Sequence, residues 1–197
     1  MAVFRAFKAL RPTEGKAAAV AALPYDVVNR EEAAAIGKEN PDSFLHVDRA
    51  EMDLPAETDL YDEKVYQKAK ENLHKLEETG VLVQDHKPCY YIYELVRKGK
   101  AQTGIAGCAS IDDYLNNVVK KHELTRSDKE LDRINHVDVC DANTGPIYLA
   151  CRYTDALSAL LEQWKKEHKA AYDFTEEDEI THRVWVIDGE EAISQIQ

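Results

Sequence analysis

Two clusters in this sequence gather residue types that handle protons and phosphates. The first is Pro24-Tyr25-Asp26-Val27-Val28-Asn29-Arg30-Glu31-Glu32, in which a turn delivers a tyrosine, an aspartate and two glutamates to the mouth of a helix. A carboxylate there can take the proton of a substrate hydroxyl as a general base. Glu32 has a competing use, because three residues after Asn29 it completes a capping box, and acidic groups in a first turn complement the helix dipole. Glu31 is left freer by the same geometry and is the better candidate base, with Asp26 behind it.

The second cluster is Asn116-Asn117-Val118-Val119-Lys120-Lys121-His122-Glu123-Leu124-Thr125-Arg126. Lys121 and Arg126, with the N–H groups of a helix opened by Ser127, could hold a phosphate or a carboxylate. His122 and Glu123 add two titratable groups. A solvated loop is the competing reading, since five cations from Lys120 to Arg133 are offset by four carboxylates. His122-Glu123 also falls short of a His-Glu-x-x-His zinc helix, because Arg126 stands where the second histidine belongs. His136 and Asp138 would face one way on an extended segment and could meet a divalent cation, although such pairs are commonplace. Gly104 and Gly107 lack the Lys-Ser/Thr of a phosphate-binding loop and point to a bulge or close packing. Asn143-Thr144-Gly145-Pro146 offers amide and hydroxyl groups on a tight turn.

The elements that must position these groups follow from pattern and punctuation. The opening up to Arg11-Pro12 reads as an extended arm, followed by a short strand over Ala17–Ala22. A helix starts at the Asn29/Glu32 box and must end at Asn40-Pro41. Ser43–Val47 has strand composition. Asp59–Glu78 is the clearest helix, with Leu60, Tyr61, Val65, Tyr66, Ala69, Leu73 and Leu76 at helical spacing and Gly80 at its cap. Cys89–Val96 and Gln102–Ile111 read as an antiparallel hairpin across a glycine-containing turn. A helical turn near Asp112–Asn117 follows. Ser127 with Glu130 forms a second capping-box pattern, for a helix to about His136. Ile147–Cys151 reads as a strand, Asp155–His168 as an amphipathic helix and His182–Ile187 as a strand. A last helix begins at Glu190 without a stop signal. The irregular mixture predicts an α+β fold, with a mixed, largely antiparallel sheet and flanking helices.

Composition narrows the classes. A net charge of −12 would repel a nucleic-acid backbone, so general nucleic-acid binding is not expected. No run approaches the roughly 18 apolar residues of a membrane-spanning helix, and the start lacks a signal-peptide pattern. A cytoplasmic protein is expected, with no membrane partner and with room for a homo-oligomer. Cys89, Cys108, Cys140 and Cys151 are scattered without a Cys-x-x-Cys pair, which predicts free thiols.

Several segments occur together and in order: Arg11-Pro12, Pro24-Tyr25-Asp26-Val27-Val28-Asn29, Asn40-Pro41-x-Ser43-Phe44-Leu45-His46-Val47, Lys120-Lys121-His122-Glu123-x-Thr125-Arg126, Asp132-Arg133-x-Asn135-His136 and Ala142-Asn143-Thr144-Gly145-Pro146. Together they resemble the bacterial family catalogued as domain of unknown function 1015, over nearly the whole chain. The resemblance implies a longer protein, of which residues 1–197 are the N-terminal portion, one α+β unit cut within its last helix. Such proteins carry a later Asp-Gly-His-His-Arg motif, absent here, that resembles the phosphate-binding segment of the ParB/sulfiredoxin-like superfamily and its free-serine kinases. It therefore implies a truncated relative of that superfamily and a nucleotide-dependent phosphotransferase acting on a small hydroxylated metabolite such as serine. The fragment alone would be inactive. ATP or ADP with Mg²⁺ would be the cofactor, and no residue is assigned to a metal. Glu31 or Asp26, His122 and Glu123 would be catalytic, with Lys121, Arg126, Asn143 and Thr144 on the cofactor. The competing function is a non-catalytic nucleotide-binding regulatory module, and a third is a scaffold supplying packing and oligomer contacts. The first two kinds of site require the acidic helix entrance and the cationic stretch to share one cleft.

Overall fold

Alternating and helical hydrophobic patterns become two compact units in the computed structural model, which describes residues 2–122, 126–152, 154–176 and 179–197. In chain order the first elements are β1 (Phe4–Arg5), β2 (Leu10–Pro12), α1 (Ala17–Val20), α2 (Arg30–Glu39), α3 (Leu45–Asp48), a 3-10 turn (Ala50–Asp53) and α4 (Glu63–Glu78). Next come β3 (Leu82–Gln84), β4 (Tyr90–Arg97), β5 (Lys100–Ala106), β6 (Cys108–Ala109), α5 (Ile111–Leu115) and α6 (Ser127–Cys140). The last are α7 (Asp155–Glu167), β7 (Tyr172–Thr175), β8 (Thr181–Ile187) and α8 (Glu190–Ile196). Helices beside mostly antiparallel sheets make this an α+β fold. Among the described residues no helix is long and apolar enough to cross a membrane.

The first unit comprises Met1–Ala18, Gln84–Glu123 and Ile147–Gln197. Its four-stranded sheet has the order β5-β4-β8-β7 with every neighbour antiparallel. Alternation along β4 and β8, in the register Tyr90↔Ile187 and Ile92↔Trp185, puts these four side chains on one face. Leu161 of α7 buries that face, helped by Trp164 and by Ile193 and Ile196 of α8. Each fully buried large side chain contributes about 1.5–3 kcal/mol. Two residues further along β4 the same face turns polar. Buried Glu94, opposite Arg183 and Thr103, receives Lys165 of α7 at 2.8 Å. The N-terminal arm is tied down by Phe4 stacked on Tyr90 at 5.3 Å and by the Arg11 guanidinium on Asp85 at 2.8 Å.

The second unit comprises Ala19–Val83 and Leu124–Pro146. The Asn29/Glu32 capping box that opens α2 is formed in both directions. Asp62 caps α4, which buries Val65, Tyr66, Ala69, Leu73 and Leu76, and Gly80 follows it at φ 72°. Val28, Ala33 and Leu45 form a small core with Ala22 and Met52. Arg30, first residue of α2, donates to the carbonyls of Glu51, Leu54, Pro55, Ala56 and Thr58 and so fixes a segment with little repetitive structure. His46 meets the Asp53 carboxylate at 2.8 Å through one ring nitrogen and the Gly37 carbonyl at 3.2 Å through the other.

Four local expectations are corrected. Residues 17–22 and 43–47 are not strands: α1 occupies 17–20, and Leu45–Asp48 is the short helix α3. Leu45 and Val47 are both buried because α3 packs against α4, so a two-residue spacing does not report a pleat there. Residues 147–151 form no strand, and Ile147 and Tyr148 are 80% and 81% exposed. Strand composition without a neighbouring ladder does not make a strand. Helix α6 has Arg126 at its N-cap with no side-chain cap bond, so the Ser127/Glu130 box does not form, and the helix continues past His136 to a left-handed Asp141. The second hairpin strand stops at Ala106, and Gly107 provides the expected close packing: a Cβ there would meet Phe4 Cζ at 2.5 Å.

Candidate functional site

The site is built on a helix that buries polar residues. Helix α6 turns Asp132, His136 and Cys140, spaced four apart, into the second unit. A buried polar group is costly unless it is hydrogen-bonded, so its partners separate structure from function. Asp132 is satisfied: the Tyr66 hydroxyl donates to it at 3.1 Å and Arg133 at 3.0 Å. Arg133 also lies 4.4 Å over the Tyr25 ring.

His136 is different. It is 3% exposed, and its Nε2 is buried without a hydrogen-bond partner. The nearest charged group is Asp48, the last residue of α3, whose Oδ1 lies 4.0 Å away, beyond hydrogen-bond reach. The hydroxyl of Thr144 is near enough to Asp48 to lower its affinity for protons. Both groups line a cavity of about 40 Å³, with Tyr25, Tyr66, Lys129 and Arg133 also in its wall. Such a volume holds roughly three water-sized atoms and no nucleobase. Arg49 and Glu51 flank it, their charged ends 2.9 Å apart.

Burial sets the proton affinities. It pushes the Asp48 carboxyl up to about 6, against the Thr144 hydroxyl and the Arg133 charge. Burial, reinforced by Arg133 and opposed by Asp132, takes the His136 imidazole down to about 4. At neutral pH the pair is therefore a carboxylate beside an uncharged ring, and the contact is not an ion pair. As pH falls, the first proton goes to Asp48. A carboxylate whose affinity lies near working pH is suited to accept a proton during a reaction and give it up afterwards.

The residues singled out in sequence are distributed as follows. Glu31, in the first turn of α2, and Asp26 are exposed and belong to the second unit. Thr144 lies near Asp48 and lowers its affinity for protons, and Asn143 is its exposed neighbour. Arg126 pairs with Asp128 at 2.7 Å on the surface. Lys121 and His122 belong to the first unit, exposed, with Lys121 Nζ 4.5 Å over the Tyr114 ring. Glu123 lies outside the described residues. His136 and Asp138 do not face one way, because both are in α6, where His136 is buried and Asp138 exposed. Among the described residues no three His, Cys, Asp or Glu side chains are grouped to hold a metal ion.

Sequence reasoning missed Asp48, Arg133, Tyr66 and Asp132 as a group. The available signal was Asp132 and His136 at a four-residue interval within a helix that also carries the buried Cys140, a polar stripe where an apolar one belongs. A family model described as "Protein of unknown function (DUF1015)" matches residues 4–197, and the chain belongs to that family. No curated protein and no solved structure matches it.

Proposed function

We propose that this family member is a phosphotransferase in which Asp48 takes the proton released by a hydroxyl group of a small metabolite as that hydroxyl is phosphorylated. The observation that carries the reading is the desolvated Asp48 carboxylate, raised to about 6 and facing a cavity beside an unpaired, uncharged imidazole. Phosphoryl transfer asks the protein for positioning and charge stabilisation more than for covalent chemistry, and a carboxylate that orients the attacking hydroxyl is a recurrent part. Thr144 favours the charged form of Asp48, and Lys129 and Arg133 supply positive charge in the same wall. ATP or ADP with Mg²⁺ would furnish the phosphoryl group. The cations fit its phosphate end, whereas a cavity of about 40 Å³ leaves its base outside. The likeness to ParB/sulfiredoxin-like free-serine kinases that the family resemblance implies, through a motif absent from these residues, points to the same reaction class only at the level of analogy.

On this reading Asp48 replaces Glu31 as the preferred base, because Asp48 has the tuned carboxylate and Glu31 stands in solvent. The test is ³¹P NMR of the protein with ATP or ADP, Mg²⁺ and a panel of small hydroxylated metabolites that includes serine. Nucleotide should be consumed only with a hydroxyl acceptor present. Asp48→Asn should lower the rate about 10²–10⁴-fold, the usual contribution of a general base, and Glu31→Gln should change it little. Absence of turnover across all nucleotides and acceptors, or an Asp48→Asn variant at full rate, ends the proposal.

A further inference from the structure

The gap between His136 Nε2 and Asp48 Oδ1 is specific in length. At 4.0 Å the two atoms are too far apart for a direct hydrogen bond and too close for two intervening atoms. One oxygen about 2.8 Å from each would make an angle of roughly 90° between them, acceptable for a hydroxyl that gives one hydrogen bond and accepts another. The cavity has volume for that oxygen and the carbon that bears it. We propose that His136 is a direct ligand contact, its Nε2–H donating to the alcohol oxygen whose own O–H donates to Asp48. The inference rests on the preceding reading for the identity of the bound group and adds a second residue on the same atom.

The surroundings decide which group fits. Asp48 as a carboxylate only accepts, so the ligand must donate to it, and a carboxylate or phosphate oxygen would be repelled there. An ammonium could donate, but Arg133 and Lys129 line the same cavity and oppose a further positive charge. The other carboxylates of that wall are already held, Asp132 by Tyr66 and Arg133 and Glu51 by Arg49. An uncharged hydroxyl is the group that suits both ends. The arrangement also assigns the tautomer: Nε2 carries the ring proton because the alcohol has spent its only proton on Asp48. An anionic tail on the ligand would lie toward Arg133 and Lys129, so the chemical class is a small hydroxy acid.

Glycolate and its deoxy counterpart acetate probe this without nucleotide. In the full chain with ¹⁵N-labelled histidine, the His136 ring should show the Nε2–H tautomer, and glycolate should shift its Nε2 resonance while acetate leaves it in place. His136→Leu should weaken glycolate binding about tenfold, the value of one buried hydrogen bond to an uncharged group. His136→Gln, which keeps an N–H donor, should bind within about threefold of the parent by the same measure. An unmoved Nε2 resonance at saturating glycolate, an equal shift with acetate, or an Nδ1–H tautomer in the complex overturns the inference. The two proposals fail separately. Glycolate binding without phosphoryl transfer leaves this contact standing and removes the reaction. Turnover that needs Asp48 but leaves the His136 ring unmoved does the reverse.

Discussion

Each unit buries an ionisable cluster, and the two clusters are built on opposite terms. In the first unit the Glu94 carboxylate is 6% exposed and is met by Lys165, Arg183 and Thr103. Burial alone would raise Glu94, yet the Lys165 and Thr103 bonds and the cationic charge hold it below the ordinary glutamate range. In the second unit Asp48 has one hydroxyl and a distant guanidinium, which do not offset its desolvation, and its affinity for protons rises. The lesson is one of accounting for partners: a satisfied buried charge supports a fold, and an under-satisfied one beside a cavity is held ready for something else.

Removing one charge from each cluster should therefore have opposite effects on stability. Lys165→Met leaves Glu94 buried with weaker partners and should cost about 3 kcal/mol in urea denaturation at pH 7, in the range for breaking a buried ion pair. Asp48→Asn removes a charge that the fold penalises and should add about 1–2 kcal/mol under the same conditions while lowering the phosphoryl-transfer rate. Destabilisation by Asp48→Asn would mean that the cavity charge is structural and would erase the contrast.

The pH dependence sharpens the comparison within the second unit. Asp48 binds its proton more tightly in the fold than in the unfolded chain, about 6 against 3.8, so its contribution to stability falls as pH rises through that window. His136 binds its proton less tightly, about 4 against 6.5, so its contribution rises over nearly the same window. The two slopes oppose each other. Asp48→Asn should unmask a rise of about 2–3 kcal/mol between acid and neutral pH, and His136→Gln a fall of similar size, both read from denaturation midpoints. Parallel pH profiles for both variants and the parent would sink the assignment.

A further effect concerns packing. Gly107→Ala sets a Cβ against the Phe4 ring, which is held by its stack on Tyr90, and should cost about 1–2 kcal/mol as an overpacked contact. Thermal unfolding checks it, and an unchanged midpoint would show that the arm yields freely.

Much of the scaffold was legible from local signals. The Asn29/Glu32 box, the α4 stripe with Gly80 behind it, the β4–β5 hairpin and α7 all follow from period, caps and turn residues. The failures share a cause. Residues 43–47 and 147–151 are short apolar runs, whose type is decided by what packs beside them, and that is not written in the run itself. The cavity was hidden for a related reason. Asp48 and His136 are 88 residues apart in number and ordinary in type, and their distinction lies in burial and a 4.0 Å separation. Exposed charges such as Lys120, Lys121 and His122 are conspicuous in sequence because solvent tolerates them in runs. A working carboxylate must be isolated from such company to have its affinity shifted.

Arg30 carries a consequence beyond its hydrogen bonds. Backbone bonds within the 3-10 turn and the chain after it, such as Leu54 N–H to the Glu51 carbonyl and Thr58 N–H to that of Pro55, are supplemented here by one guanidinium that gathers five carbonyls. Because one of those carbonyls belongs to Glu51 in the cavity wall, the entrance of α2 and that wall are mechanically coupled. A lysine keeps the charge and loses the fork, so the segment would be tethered at one point and free to swing.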